Sequence, residues 1–195
     1  ERSMNTYLGA CVELKPEDIE EDKVAASKIT YFEGYLWDPP LAKDAIRLAA
    51  RIAHKHGRKM AMTLSDSFCV DRYRDEFLHL MRSGTVDITF ANEHELKALY
   101  QTSDFNTALE ALRNDCEMAA VTRSEKGSVI IKGPETVKID PIRVETIVDT
   151  TGAGDLYAAG VLFGLSQGLS MAKSGRLGSL AASIVISQIG PRPQA

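Results

Sequence analysis

The sequence predicts an α/β protein, a three-layer α/β/α sandwich in which helices cover both faces of a mostly parallel central sheet. Short runs of branched and apolar residues alternate with longer segments whose apolar residues recur every three or four positions. The segments that join them are short, which favours right-handed crossovers between parallel strands. With 195 residues, 44% of them apolar, the chain suits one globular domain with a substantial core.

Three strand–helix pairs are predicted in the first half of the chain, after a less regular start. We expect a mixed strand over 6–14 and a short acidic helix that begins at Pro16, since proline favours the first helical turn. The strands predicted next lie at 29–32, 59–64 and 86–90. The helices that follow them lie at 41–56, 70–81 and 93–100, and Gly57 marks the end of the first.

The second half of the chain continues the alternation and ends in helices. A helix at 105–114 precedes an apolar strand at 118–122, and two shorter strands follow at 128–132 and 135–139. Gly133 and Pro134 are typical of the turn between those two strands. Two helices, about 153–167 and 171–188, complete the layered domain, which has no internal linker.

Composition excludes several classes of function. The net charge is −4 with no long basic block, which argues against nucleic acid as a partner, and no run approaches eighteen apolar residues, so no membrane span is predicted. Three widely spaced cysteines without a Cys-x-x-Cys pair argue against disulfides and structural zinc and favour a cytoplasmic location. No charged-then-apolar leader opens the chain, and its first residue is Glu1, so we expect amino-terminal residues to be missing.

The most informative segment lies at the start of the helix predicted over 153–167. Gly152, Ala153 and Gly154 place small residues where unpaired backbone N–H groups can approach an anion closely, and the helix dipole favours negative charge there. Asp155 lies in the first turn, where a carboxylate can take a proton from a hydroxyl group. An ordinary amino-terminal cap is the alternative for a lone Gly-x-Gly-Asp, and the longer string around it makes that alternative weaker.

The string Asp149-Thr150-x-Gly152-Ala153-Gly154-Asp155, followed by Ala159-Gly160, resembles the carboxy-terminal signature of the ribokinase-like (PfkB) carbohydrate and nucleoside kinases. The resemblance implies that Asp155 is the catalytic base. It also implies that Gly152, Ala153 and Gly154 form an anion hole for the phosphoryl group transferred from ATP.

Asn92 and Glu95 resemble a second family motif, Asn-x-x-Glu, which directly follows the strand predicted at 86–90. The resemblance implies that the two residues position Mg²⁺, through water, near the nucleotide phosphates. The spacing alone favours a different interpretation, a capping box at the start of a helix. The family context reverses that preference.

Two further segments resemble the nucleotide-binding parts of the family. Thr122, Ser124 and Gly127 match the nucleotide-contacting loop, whereas Arg123 replaces a residue that is often small or apolar; without the resemblance, a plain surface turn is preferred. Residues 178–182 resemble the helix that borders the adenine, which implies contacts from Ser179 and Ala182. Asn or His is common at the position of Ser179.

A monovalent cation such as K⁺ is implied near Asp149, Thr151 and the backbone around Gly190, where some relatives bind one. The opening residues resemble the lid strand of the adenosine-kinase-like branch, which implies that Arg2 stabilises charge on the transferring phosphoryl group. For Arg2, a solvated terminal residue is an equal alternative. Because family members often dimerise through lid strands, the resemblance also implies a homodimer.

These observations lead to one hypothesis for the whole chain: a single α/β kinase domain over 1–195, truncated at its amino terminus, with a lid remnant over 1–15 and a nucleotide-binding core over 16–195. It would transfer the γ-phosphate of ATP, with Mg²⁺, to a hydroxymethyl group of an adenosine-like nucleoside or a ribose-like sugar. Two alternatives stay open, a non-catalytic nucleotide-binding module or inactive fragment, and an NAD-dependent oxidoreductase that uses Gly152-x-Gly154.

Overall fold

The computed structural model describes residues 7–193, which contain a six-stranded sheet. The first four strands are parallel to one another and the last two are antiparallel, and all six lie in the sheet in the order of the sequence. The strands are β1 (Ile29–Glu33), β2 (Lys59–Thr63), β3 (Ile88–Asn92), β4 (Met118–Thr122), β5 (Ser128–Lys132) and β6 (Glu135–Ile139).

Seven α-helices occur among the described residues. They are α1 (Glu21–Ala26), α2 (Pro40–Lys55), α3 (Ser67–Arg82), α4 (Glu93–Leu99), α5 (Phe105–Asp115), α6 (Ala153–Ser166) and α7 (Met171–Val185). Single 3₁₀ turns lie at Gly9–Glu13, Pro16–Asp18, Gly34–Trp37 and Ser124–Lys126. Among residues 7–193, no helix combines the length and the apolar character needed to cross a membrane.

The two faces of the sheet bury different sets of side chains because successive residues of a strand point to opposite sides. One face, which includes Met62 and Val121, packs with α2, α3, α4 and α5 in the larger apolar cluster. The other face, which includes Phe90 and Ile130, packs against α6 through Tyr157 and against α7. The predicted three-layer α/β/α sandwich is therefore confirmed.

The strand predicted over 6–14 is wrong for the part of it that is described. Gly9–Glu13 form a 3₁₀ turn, and Gly9 has the left-handed φ of +61° that interrupts an extended backbone. Tyr7 is 94% exposed, and none of the residues of the turn is buried, so this segment gains little from lying flat on a sheet. Thr6 and Arg2 lie outside the described residues.

A smaller difference concerns the third strand, which runs over Ile88–Asn92 rather than 86–90. Val86 is buried but its amide bonds to the carbonyl oxygen of Leu80 at 3.0 Å, so it belongs to the turn after α3. The shift has a consequence for the site. Asn92 is both the last residue of β3 and the amino-terminal cap of α4.

Candidate active site

The residues that resemble family motifs gather at the carboxyl end of the parallel strands. Asn92 ends β3 and Thr122 ends β4, and these two residues are paired in the register of the sheet. Glu33 ends β1 at the same edge. In open α/β sheets this edge is where ligands bind, because the strand ends and the helix amino termini meet there.

The amino terminus of α6 presents an open cradle. Gly152 caps the helix with φ +79°, and a Cβ atom on it would lie 2.8 Å from Cβ of Pro191, so the position requires glycine in conformation and in space. A Cβ atom on Gly154 would meet nothing within 4 Å. The amide of Ala153 bonds to the carbonyl oxygen of Thr150 at 3.2 Å, while Gly154 and Asp155 lie in the first turn, where helices leave amides without an internal partner. An anion can therefore reach this terminus from solvent.

Asp155 is exposed in that first turn, and within the described part of the chain no hydrogen bond or ion pair engages its side chain. Its charge nevertheless reaches a neighbouring carboxylate, that of Glu33. Burial raises the pKa of Glu33 and the charge of Asp155 raises it further, against the opposite effect of the hydrogen bonds from Tyr31 and Ser65. Asp155 and Glu33 thus form a pair of carboxylates at one end of the sheet.

Glu33 was not among the predicted site residues. Tyr31 Oη donates to its Oε1 at 2.7 Å and Ser65 Oγ donates to its Oε2 at 3.2 Å, so two neutral hydroxyl groups orient the carboxylate. The available signal was an acidic side chain at the end of a strand, directly before Gly34. That signal is weak without the fold, because Asp155 lies far away in the sequence.

Asn92 and Glu95 form the capping box that their spacing predicts. The Asn92 side chain accepts from the amide of Glu95 at 2.9 Å, and the Glu95 carboxylate accepts from the amide of Asn92 at 2.9 Å. Glu95 is only 5% exposed, and burial raises its pKa to about 7, although the hydrogen bond from the backbone of Asn92 lowers it. The charges of Asp66 and Glu33 add to the increase.

This environment fits a magnesium ion that is held indirectly. Among residues 7–193, no lysine or arginine pairs with Glu95, so its negative charge is not neutralised by the protein. The described residues also contain no group of three or more His, Cys, Asp or Glu side chains that could hold a metal ion directly. Mg²⁺ commonly keeps several waters and binds through one or two carboxylates together with substrate phosphates, which matches this donor set.

A cavity of about 640 Å³ lies beside the helix terminus and brings most of the predicted nucleotide contacts together. Its lining includes the predicted residues Thr122, Ser124, Gly127, Ala153, Gly154, Ser179 and Ala182. Gly127 has φ +76°, and a Cβ atom on it would lie 2.0 Å from the carbonyl oxygen of Ile139, so this turn requires glycine. The volume is in the range of small-molecule sites.

Two parts of the cavity wall were not predicted. The connection between β6 and α6 contributes Ile142 and Ile147 to the wall, and Ile147 is 64% exposed. The sequence signal for this part of the wall was the pair of isoleucines in a segment without secondary structure. The other part is a buried hydrogen bond in which Tyr157 Oη donates to Ser128 Oγ at 2.8 Å. This bond joins α6 to the first residue of β5, the strand on which it packs.

The predicted cation ligands also lie together. Asp149 Oδ1 accepts from the amide of Thr151 at 2.9 Å and from its hydroxyl at 2.6 Å, and Asp149 Oδ2 accepts from the amide of Gly190 at 3.0 Å. One carboxylate thus ties the segment before α6 to the segment after α7. The oxygen-rich composition suits a hard cation.

Comparisons with known proteins agree with this geometry. The family profile described as pfkB family carbohydrate kinase matches residues 1–195. The crystal structure of adenosine kinase from Sinorhizobium meliloti has a TM-score of 0.95 and 68% identity, covering 97% of this chain and 58% of that chain. A probable sugar kinase protein from Rhizobium etli CFN 42 has a TM-score of 0.95 and 65% identity, covering 97% of this chain and 57% of that chain.

A relative of lower sequence identity also matches nearly the whole of this chain. Adenosine kinase of Saccharomyces cerevisiae (strain ATCC 204508 / S288c) is 29% identical over 204 residues, which cover 97% of this chain and 59% of the relative. The chain therefore spans less than two thirds of the length of these relatives, between 57% and 59% of it.

Proposed function

The chain belongs to the pfkB family of carbohydrate kinases, and we propose that it supplies the nucleotide-binding and phosphate-transfer part of an ATP-dependent kinase. The reaction is transfer of the γ-phosphate of ATP to a hydroxymethyl group of an adenosine-like nucleoside or a ribose-like sugar. The observation that carries the proposal is the open amino terminus of α6, where Ala153 and Gly154 line a cavity of about 640 Å³ and the exposed Asp155 is the next residue. We assign residues 16–195 to the nucleotide-binding core.

In this proposal, Asp155 is the catalytic base. Its side chain is exposed and unpaired within residues 7–193, so an acceptor hydroxyl can approach it directly. The N–H groups of Gly152 and Gly154 stabilise negative charge on the phosphoryl group, because preorganised donors at a helix terminus favour an anion without reorganising. Ala153 lies between them in the predicted anion hole, with its own N–H donating to the carbonyl oxygen of Thr150. Proton removal and charge stabilisation thereby come from neighbouring residues of one turn.

The nucleotide occupies the cavity between the loop after β4 and the α7 helix. Thr122, Ser124 and Gly127 contact it from the loop, and Ser179 and Ala182 contact it from α7, since all five line the same space. Apolar lining residues such as Ile142 and Ile147 favour contact with a flat base over contact with a charged group.

Asn92 and Glu95 would hold Mg²⁺ through water molecules near the phosphates of the bound nucleotide. When bound, Mg²⁺ neutralises charge that develops on the phosphates. The support for this assignment is the burial of Glu95 without a protein cation beside it, because such a carboxylate gains from a nearby positive ion. The capping box keeps both side chains in place.

The acceptor lies at the β1 end of the site, between Asp155 and Glu33. The carboxylate of Glu33 is oriented by two hydroxyl groups and can accept a hydrogen bond from a sugar hydroxyl. Tyr35, 38% exposed, follows it on the same edge and offers an aromatic surface to a nucleoside base. We therefore place an adenosine-like nucleoside first among the acceptors, which the names of the relatives support.

Asp149 and Thr151, with the backbone at Gly190, are our proposal for a K⁺ site. The support is the set of hydrogen bonds that brings them together. A turnover rate that rises when K⁺ replaces choline in the buffer would support the site, and an unchanged turnover rate would contradict it.

Arg2 as a stabiliser of transferring charge and a homodimer through lid strands both stay predictions from the resemblance. Arg2 lies outside the described residues, and part of the segment assigned to the lid strand forms the 3₁₀ turn Gly9–Glu13. Size measurement of the full-length protein by light scattering tests the dimer.

The experiment for the proposed function is an ADP-release assay of the full-length protein against a panel of nucleosides and sugars. ADP release that depends on the acceptor supports the kinase. If the protein binds ATP but releases no ADP with any acceptor, the result would instead support a non-catalytic nucleotide-binding module. The NAD-dependent alternative has little support, because Gly152 follows a segment without strand structure and α6 leads into the helix α7.

A further inference from the structure

The side chain of Arg123 joins separate segments of the candidate site. From the loop after β4, its Nε donates to Oε2 of Glu93 at 2.8 Å, and its guanidinium carbon lies 3.7 Å from the centre of the Phe105 ring. Glu93 is the first residue of α4, and Phe105 is the first residue of α5. One cation therefore connects the nucleotide loop to the starts of two helices.

The backbone of the same residue closes the loop. The amide of Arg123 donates to the carbonyl oxygen of Gly127 at 2.8 Å, and the amide of Lys126 donates to the carbonyl oxygen of Arg123 at 3.0 Å. Between them, Ser124 has an unfavourable φ of +52° for a residue with a side chain. The loop thus has a fixed backbone conformation, and the Arg123 side chain adds its contact with the starts of α4 and α5.

On the other side of the contact, Glu93 is adjacent to Asn92, the cap of α4 that exchanges hydrogen bonds with Glu95. The second oxygen of Glu93 accepts from Lys97 Nζ at 2.7 Å. Glu93 and Lys97 lie on the same helix, so their bond lies within α4, whereas the bond from Arg123 to Glu93 connects the loop after β4 with α4. The side chains of Glu93 and Arg123 are 16% and 24% exposed, so water screens their pairing less than it screens a surface pair.

We propose that Arg123 is a positioning residue that sets the nucleotide loop at a fixed distance from the Asn92–Glu95 capping box. The loop residues Thr122 and Ser124 contact the nucleotide in the proposed function, and the capping box organises Mg²⁺ near its phosphates. The bridge keeps these two sets of contacts in register for one Mg²⁺–ATP molecule. An arginine suits the role because its planar guanidinium stacks on Phe105 and donates to Glu93 at the same time. The inference rests on the proposed function.

The test compares Arg123→Met with Lys97→Met in the full-length protein. Each change removes one cation from Glu93 and keeps an unbranched side chain. We measure the Kd of ATP by calorimetry with Mg²⁺ and with EDTA, and kcat and KM with an acceptor from the panel. Arg123→Met should raise the Kd and the KM for Mg²⁺–ATP by about tenfold, as expected for the loss of a charge-assisted hydrogen bond. Lys97→Met should change them by less than about twofold, as expected for a bond within one helix.

Three further observations separate positioning from general stability. In Arg123→Met, the gain in affinity that Mg²⁺ gives to ATP should shrink, and the KM for the acceptor should stay the same. Arg123→Lys, which keeps the charge but loses the planar stacking, should change the Kd in the same direction by a smaller factor. Because Arg123 acts through Glu93, the double variant with Glu93→Gln should bind ATP no more weakly than Arg123→Met alone. Should Arg123→Met fail to fold, Arg123→Lys carries the comparison.

The outcomes distinguish the inference from its premise. If wild-type protein binds Mg²⁺–ATP and both Arg123 variants bind it equally well, the bridge is overturned while the kinase proposal stands. If Lys97→Met has the same effect as Arg123→Met, the effect comes from charge on Glu93 and the bridge is again overturned. If wild-type protein binds no ATP and releases no ADP with any acceptor, the proposed function is overturned and the bridge with it.

Discussion

The two ends of the sheet carry buried or half-buried carboxylates that have different hydrogen-bond partners. At the amino end, Asp87 accepts from the amide of Met60 at 2.7 Å, from Nε2 of His54 at 2.9 Å and from Nζ of Lys59 at 2.9 Å. Burial alone would raise the pKa of Asp87, but the hydrogen bonds and the charge of Lys59 outweigh burial and lower it. The ionised form is the stable one at this end.

At the carboxyl end, the balance is reversed. Glu33 receives hydrogen bonds from the hydroxyl groups of Tyr31 and Ser65, and Glu95 receives them from Asn92. Burial raises the pKa of both carboxylates, that of Glu95 to about 7. Their donors are neutral groups, and each carboxylate also lies near other negative charges.

The presence or absence of protein cations beside a buried carboxylate separates structural acids from candidate functional ones. The protein itself supplies Asp87 with a cationic partner, Lys59, so the ionised carboxylate of Asp87 contributes to stability. At the other end the protein leaves negative charge without protein cations, which costs stability in the absence of a ligand. Such an arrangement is typical of a place where a metal ion or a reacting group binds.

The largest expected effect is on catalysis at the carboxyl end. In Asp155→Asn, kcat should fall by about 10³-fold, because the side chain can no longer take a proton. The Kd of ATP and the melting temperature should stay near the wild-type values, since the side chain is exposed. The matched control is Asp44→Asn, an exposed acidic position on α2, which should leave kcat unchanged. A wild-type kcat in Asp155→Asn would contradict its role as the base.

The next effect is on stability at the amino end. Asp87→Asn should lower the free energy of unfolding by about 2 kcal/mol, because it leaves Lys59 and the ring of His54 without their carboxylate. Chemical denaturation measures the loss, and the Kd of ATP should not change. The matched control is Glu117→Gln, which removes a more exposed partner of the same Lys59 and should cost less than about 1 kcal/mol. Equal losses in the two variants would contradict the contrast.

The pH dependence of stability should also differ between the ends. Because the pKa of Glu95 rises from its ordinary 4.5 to about 7, the folded state binds more protons than the unfolded state between these values. In metal-free buffer the free energy of unfolding should therefore fall, by roughly 3 kcal/mol, as the pH rises through this window. Glu95→Gln should remove that slope, since glutamine does not titrate. A slope that persists in Glu95→Gln would assign it to another group.

Asp87 should behave in the opposite way. Its pKa is lower in the folded chain than its ordinary value of 3.8, so its contribution is complete above that value and is lost as the pH falls below it. Denaturation curves of Asp87→Asn should accordingly lose part of the acid sensitivity of the wild type below about pH 4. The Glu95→Gln protein should retain it.

The fold was largely predictable because its signals are local. The strands at Ile29–Glu33 and Met118–Thr122 and the helix Phe105–Asp115 begin where the sequence pattern predicts, since hydrophobic periodicity and caps lie within each segment. Over the described residues 7–14, the strand prediction was wrong for the opposite reason. A strand depends on a partner elsewhere in the chain, and alternation alone does not show whether the partner is there.

The candidate site was predicted where its residues lie in short motifs, as Gly152, Asp155 and the Asn92–Glu95 pair do. The resemblance of these motifs to the family indicated the roles proposed for them, because spacing alone favoured a capping box for Asn92 and Glu95. The bridge from Arg123 to Glu93 joins residues 30 apart, and the bond from Tyr157 to Ser128 joins residues 29 apart. Such pairs have no local signal, because only the packing of α6 and of the loop after β4 on the sheet brings them together.

The smallest expected effect compares two tyrosine hydroxyl groups. Tyr157 donates to Ser128 in the wall of the cavity, whereas Tyr100 donates to Asp115 at 2.9 Å, away from it. Tyr157→Phe and Tyr100→Phe should each lower the free energy of unfolding by about 1 kcal/mol, as expected for one hydrogen bond. Only Tyr157→Phe should also weaken ATP binding, by about threefold, because it leaves the hydroxyl of Ser128 without its donor beside the nucleotide.

Calorimetry with Mg²⁺–ATP and chemical denaturation of the same two variants measure these differences. A matching loss of ATP affinity in Tyr100→Phe would mean that binding follows stability in general. Unchanged affinity in Tyr157→Phe would mean that the distance between α6 and β5 is set by apolar packing alone, through Val161 and Ile130 of the same cluster. The expected result is an equal loss of stability in the two variants and a loss of ATP affinity in Tyr157→Phe alone. It would show that the hydrogen bond between α6 and β5 contributes to ATP binding as well as to stability.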